Sequence, residues 1–274
     1  MPVALALVTA LTWGVNELLL LRAAKQMHTL TLGLWLMILG AAVIVPVAAW
    51  ADPMPTLDDL PFAIAPALLA LAGSIAYWLA LRDGMLSIVS PTVATSGGVG
   101  AVIAIVTLGE RFPPLALLGL GIAVAGVVLA TFSRTGSAKG VWWAVLSAFL
   151  LGSYNVTLAF SAARIGAVWS VASYRLTGLI VLVPIVLAMR VPVAVERSQL
   201  RLLGVATLLE TVGFVALTSA LDIGPVAVAS VVMAQFSTVA VVLAALVLHE
   251  RLLRHQWIGV AMMIASTTML GALQ

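Results

Sequence analysis

The chain is a succession of apolar runs of about membrane-spanning length, joined by connections too short to form anything else. A helix crosses the hydrocarbon core of a bilayer with about 20 apolar residues. Ten runs fit: 3–21, 30–50, 61–81, 88–108, 115–132, 141–160, 168–189, 202–221, 226–248 and 257–272. Each must be a helix, because an open sheet edge in lipid leaves backbone N–H and C=O groups unpaired. The connections carry the turn residues: Asp52-Pro53-Met54-Pro55, Arg82-Asp83-Gly84, Phe112-Pro113-Pro114, 133–140 and Asp222-Ile223-Gly224-Pro225. Only 8% of the residues are charged, against roughly 25% in a soluble domain. So few charges cannot cover a water-facing surface, and the bilayer is the expected partner.

Several classes of function fall away. The net charge of +3 comes from arginines and lysines in short loops, where the positive-inside bias puts them. No basic run or interleaved aromatic stripe points to nucleic acid. Cysteine is absent, so disulfides, thiol nucleophiles and cysteine metal sites are excluded. His28, His249 and His255 all fall in connections, and no His-Glu-x-x-His, paired-aspartate or Ser/His/Asp pattern sits at intramembrane depth. Neither an enzyme, a metal site nor a cofactor is expected. The first run has no basic stretch before Val3 and ends at Arg22; it reads as a retained span, not a cleaved signal.

The chain also repeats itself. A shift of 140 residues aligns the third, fourth and fifth runs with the eighth, ninth and tenth without gaps. Gly73 meets Gly213, Gly84 meets Gly224, Ser90 meets Ser230, and Gly119 meets Gly259. Leu108-Gly109-Glu110-Arg111 meets Leu248-His249-Glu250-Arg251. The first two runs of each half align only weakly. Five spans per half is an odd number, so the second half starts on the opposite side of the membrane. The expected fold is an all-α membrane protein of ten transmembrane helices, made of two inverted five-helix repeats, 1–134 and 139–274, in one integral unit. In secondary transporters of this kind the substrate site lies between the repeats, near the midplane.

Trp13-Gly14 in the first run, with the two Glu-Arg motifs and the glycines that follow them, resembles the drug/metabolite transporter superfamily, EamA type. The second half departs from the pattern, with Ser153-Tyr154 in place of Trp-Gly and His249 in place of glycine. The resemblance implies a basket of helices around a central cavity, lined by the first, third, fourth, sixth, eighth and ninth spans. Across that family the substrates include amino acids, nucleosides, sugars, amines and drugs.

An ionisable group inside a span is costly and marks function by default. Three stand out. Glu210 is in the middle of the eighth span, with Thr207, Thr211 and Phe214 on its helix face. It reads as a carboxylate for an amine or a proton, or as a partner for Arg175. Glu17 is one turn after Trp13 and next to Asn16; carboxylate plus aromatic face suits an organic cation. Alternatively it is wet at the span end, or paired with Arg22. Arg175 could clamp a substrate carboxylate, neutralise Glu210 or snorkel to an interface. At a shift of 140, the counterparts of Glu17, Arg175 and Glu210 are about Thr157, Trp35 and Ala70. The uncharged candidates are Asn16, Asn155, Gln235, Tyr77, Tyr154 and Tyr174, with hydrogen bonding between helices as the competing role. Trp50, Trp142, Trp143 and Trp257 read as interface belt, and Trp78 as belt or cavity wall. Glu110-Arg111 and Glu250-Arg251 read as junctions that tie the fourth span to the fifth. The run Ser96-Gly97-Gly98-Val99-Gly100 permits close helix approach or a flexible point.

The leading function is a secondary transporter of a small organic metabolite, an amino acid or amine, working by alternating access with protons as coupling ions through Glu17 and Glu210. The alternative is a choline-like or multidrug cation carrier with an aromatic box from Trp13, Tyr77 and Tyr154. A passive channel or membrane enzyme is the alternative from another class. The expected state is a monomer or homodimer in a prokaryotic inner membrane. Loops after odd-numbered spans hold ten basic residues, and loops after even-numbered spans hold two. That count puts both termini outside, whereas the family resemblance implies both inside.

Overall fold

The computed structural model describes all residues except 85, 111–112, 132–139, 248–252 and 273–274. Arg111, His249, Glu250, Arg251 and the boundary expected at 134–139 therefore lie outside the described residues. Among the described residues all regular structure is helical: α1 Pro2–Gln26, α2 Thr29–Ala51, a 3-10 turn Leu57–Asp59, α3 Leu60–Asp83, α4 Leu86–Ala94, α5 Ser96–Thr107, α6 Pro114–Thr131, α7 Val141–Ala188, α8 Arg197–Ile223, α9 Val226–Met233, α10 Phe236–Val247 and α11 Arg254–Ala272. Among the described residues five helical segments are long and apolar enough to cross a membrane: α1, α2, α3 with its leading turn, α7 and α8.

Local chemistry sets the ends. Proline opens α1, where its missing N–H is not needed. The His28 ring, expected in a connection, accepts from the amide of Leu30 and caps α2. A capping box from Thr56 and Asp59 leads into α3, and one from Glu196 and Gln199 opens α8.

The sixth and seventh runs form one 48-residue element, α7, interrupted at Gly166 (φ 77°, ψ 161°). That φ is open to glycine at little cost. The hydroxyls of Ser161 and Ser170 lie 2.8 Å apart across it. Nine residues of straight helix span about 13.5 Å, so the chain folds back at Gly166 and the two arms of α7 are antiparallel. The fourth run appears as α4 and α5, broken at Thr95, and the ninth as α9 and α10, broken at Ala234 and Gln235.

α3 lies along α7, α1 along α8 and α6 along α11. Small residues set the first two of these approaches, Gly73 against Leu151 and Gly213 against Trp13, as expected where no hydrophobic force distinguishes helix from lipid. The same contacts occur twice. Thr9 donates to the carbonyl of Gly213, and Ser147 donates to that of Gly73. A side chain at Gly14 would strike Val239 and the carbonyl of Phe236; one at Gly152 would strike Val99 and the carbonyl of Ser96. Gly40 abuts the side chain of Arg175, and Gly178 abuts that of Met37. The capping boxes at 56–59 and 196–199 are also equivalent. The equivalences run at a shift of 138 residues for α1 and α2 and 140 thereafter. This corrects the pairing read from sequence: Glu17 corresponds to Asn155, not Thr157, and Arg175 to Met37, not Trp35. Glu210 keeps Ala70 as its counterpart. The run Ser96–Gly100 serves close approach, with Gly97 against Ser230 and Ala234, and Gly100 against Gly152 and Asn155.

Candidate functional site

A cavity of about 70 Å³ lies among α1, α3, α4, α5, α7, α8, α9 and α10. One water needs about 10–15 Å³ on this measure, so there is room for a small solute or several waters. Its aromatic wall is Trp13, Trp78, Phe214 and Phe236. Trp13 meets Phe214 edge-on at 4.9 Å and Phe236 at 6.1 Å between ring centroids. Tyr77, Tyr154, Asn16, Asn155, Ser74 and Glu210 supply the polar groups.

Arg175 is fully buried, and its Nη2 donates to Glu210 Oε2 at 3.0 Å and to Thr211 at 3.4 Å. Its guanidinium carbon lies 5.0 Å from the ring centre of Tyr174 and 5.6 Å from that of Phe214. The choice left open by the sequence falls to Glu210: the arginine is its ion-pair partner and does not line the cavity. Glu210 does line it, and its backbone carbonyl accepts from Trp13 Nε1 at 3.4 Å.

Glu17 is 1% exposed and sits behind the wall. Tyr77, in the wall, donates its hydroxyl to Oε1 at 2.8 Å, and Ser90 donates to Oε2 at 2.8 Å. It is neither wet nor paired with Arg22, and among the described residues no cation lies within ion-pair distance. The equivalent position in the second half holds Asn155, and the equivalent of Ser90 is Ser230. Among the described residues Asn155 Nδ2 and Ser230 Oγ have no hydrogen-bond partner, nor do Asn16 Oδ1 and the Tyr154 hydroxyl. Buried polar atoms are normally paired. Three of these four belong to residues of the cavity wall, which marks the cavity as a place for polar contents.

Seven of the ten candidate residues thus line one cavity: Trp13, Asn16, Tyr77, Tyr154, Asn155, Glu210 and Phe214. Glu17 and Arg175 stand one layer behind it. Gln235 is buried at the break between α9 and α10 and is not in the wall. Ser74, Ser96 and Phe236 are wall residues that the sequence did not single out for the site. Ser74 stands one turn before Tyr77, a spacing that could have flagged it. Trp78 is wall, not belt, at 1% exposure, whereas Trp50 and Trp142 are largely exposed.

The sequence pattern of the EamA-like transporter family matches residues 1–132 and again 138–272. The chain belongs to the EamA-like transporter family. Its members are transporters of small solutes embedded in membranes, and the long apolar helices accord with that. No curated protein matches the sequence at a significant level. A solved structure, described only as the crystal structure of a protein, superposes with a TM-score of 0.82 over 99% of this chain and 96% of that one, at 15% identity. It shares the fold. In this EamA-like chain the Glu-Arg signature has a specific role at Glu110. Its carboxylate accepts from the amides of Val226 at 2.7 Å and Ala227 at 3.1 Å. It therefore caps α9 in the other half.

Proposed function

We propose that this transporter moves a small organic amine by alternating access, with protons as the coupling ions, between two inverted five-span repeats that together make ten spans. The reading of the halves, about 1–134 and 139–274, rests on the duplicated contacts, on the family pattern matching twice and on the fold-back at Gly166. The wall formed by equivalent helices from both halves suits a site at their interface.

The observation that carries the substrate class is the charge count. It sets two buried carboxylates, Glu17 and Glu210, against one buried guanidinium, and that guanidinium is held by Glu210 and by the rings of Tyr174 and Phe214. Among the described residues of the cavity wall a substrate carboxylate has no cation to meet, which disfavours the amino acid and favours the amine. The aromatic wall offers ring faces to an ammonium, and Tyr77 connects the cavity to Glu17 through its hydroxyl. A proton at Glu17 and a cation beside Tyr77 and Glu210 would compensate the same negative charge. Such competition is the elementary form of exchange.

The test is transport in proteoliposomes. An amine should be taken up faster under a pH gradient and should show counterflow, while the matching amino acid should not compete. Glu17→Gln should abolish the stimulation by the pH gradient and keep counterflow. Competition by the amino acid equal to that by its decarboxylated amine would sink the substrate reading. Full gradient-driven uptake by Glu17→Gln would sink the coupling. A quaternary amine transported as well as a primary one would favour the aromatic-box carrier, and ohmic conductance without counterflow would favour a channel.

A further inference from the structure

The two halves differ at one pair of helix ends. At the start of α3, Asp59 closes its capping box and also accepts from Arg164 Nε on α7 at 2.7 Å. The equivalent positions at the start of α8 and the end of α1 are Gln199 and Gln26, so the ion pair has no counterpart there. In its place lies an open groove of about 630 Å³.

We infer that this groove, between the end of α1 and the start of α8, holds the headgroup of an anionic phospholipid. Arg22 and Arg201 line it, both are exposed, and neither takes part in any of the ion pairs. Glu196 also borders the groove. Its carboxylate caps the first turn of α8, accepts from Ser198 Oγ at 3.4 Å and forms no ion pair with either arginine, so the groove keeps an excess of positive charge. The helix end is thereby satisfied, and the two guanidinium groups are the cations left for a phosphodiester, which they suit by geometry as well as charge. Gln26 adds an exposed amide at the rim. Below it Val205, Leu208 and Val212 form an outward stripe on α8, each about half exposed at 53%, 52% and 51%. That stripe runs from the groove along the helix and gives an acyl chain a surface to follow. Basic pockets at helix ends bind anionic headgroups in this way.

The experiment is the melting of the full-length protein in neutral detergent, titrated with phosphatidylglycerol, phosphatidylcholine or inorganic phosphate. Phosphatidylglycerol should raise the melting temperature in a saturable way, and the other two should not. Each juxtamembrane arginine supplies about 1 kcal/mol toward an anionic surface. Arg22→Gln should therefore weaken the apparent lipid affinity about fivefold, and Arg22→Gln with Arg201→Gln about 30-fold. A second variant, Gln26→Arg with Gln199→Asp, installs the ion pair of the other half and should close the groove, with the same loss of lipid response. Equal stabilisation by both lipids, protection by phosphate alone, or an undiminished preference for phosphatidylglycerol in both variants would each overturn the assignment.

Discussion

Breaking the Arg175–Glu210 pair from one side should cost far more than removing it altogether. Arg175 is wholly buried, and among the described residues its Nη2 has hydrogen-bond partners while Nε and Nη1 have none. Removing one partner of a buried ion pair costs about 3–5 kcal/mol, because it leaves a charge without compensation. In Glu210→Gln the arginine keeps the faces of Tyr174 and Phe214, worth roughly 0.5–2 kcal/mol each. These contacts exist in the parent too, so they cancel in the difference, and the amide oxygen of glutamine as a remaining acceptor keeps the loss at the low end. We expect about 3 kcal/mol for Glu210→Gln. Arg175→Met should cost less, about 2 kcal/mol, since a carboxylate has a neutral form and a guanidinium has none within reach. The protein supplies the precedent for methionine, because Met37 fills the notch at Gly178 as Arg175 fills that at Gly40. The double variant Arg175→Met with Glu210→Leu should recover to within about 1 kcal/mol of the parent, since apolar replacement of a buried pair is often neutral or better. Unfolding by dodecyl sulfate in mixed micelles, followed by tryptophan fluorescence, gives the four corners of the cycle. Costs that simply add in the double variant would mean that the two residues do not act as a pair, and the charge count behind the amine reading would fail with them.

Two further outcomes follow from close contacts and caps. Gly40→Ala pushes a methyl into the Arg175 guanidinium and should lose about 1–3 kcal/mol by overpacking, while Gly121→Ala, with open space around it, should gain up to about 1 kcal/mol of helix propensity; the same unfolding assay reads both, and equal effects would refute the contact. Glu110→Gln weakens a cap worth roughly 0.5–2 kcal/mol, so the amides of Val226 and Ala227 should exchange with deuterium about 2- to 30-fold faster, and unchanged protection would show that the cap does not hold in the membrane.

Much of the fold was legible because its signal is local. Run length and the lack of charge gave the membrane class, and the glycines with Glu-Arg gave the repeat in the last three runs of each half. The register of the first two runs was not legible. Their equivalents are mostly interchangeable apolar residues, and the two-residue slip from 140 to 138 falls in a connection. Only contacts such as Gly14 with Val239 and Gly152 with Val99 fix it. The site was legible in kind and not in arrangement. Polar atoms at depth pointed to Asn16, Tyr77 and Glu210, which share one cavity, and to Glu17, which Tyr77 reaches from it. That Tyr77 and Ser90 both serve Glu17, and that Arg175 is spent on Glu210, depends on helices distant in sequence meeting face to face.

The corrected register bears directly on function. A charge at mid-span costs about 2.5–3.5 kcal/mol even on the most permissive scale. A scaffold that required such a charge would require it in both halves. Here the equivalent of Glu17 is Asn155, that of Arg175 is Met37, and that of Glu210 is Ala70, each seated in the same helix framework. The framework therefore folds around neutral residues at all three places, and Met37 against Gly178 shows that the packing closes without a cation. The three charges are dispensable to the architecture as a pattern; Glu210 lines the cavity, and Glu17 and Arg175 stand behind its wall. Their net charge, once Arg175 and Glu210 are matched, is that of Glu17 alone, and a mobile cation or a proton is what such a site is suited to accept.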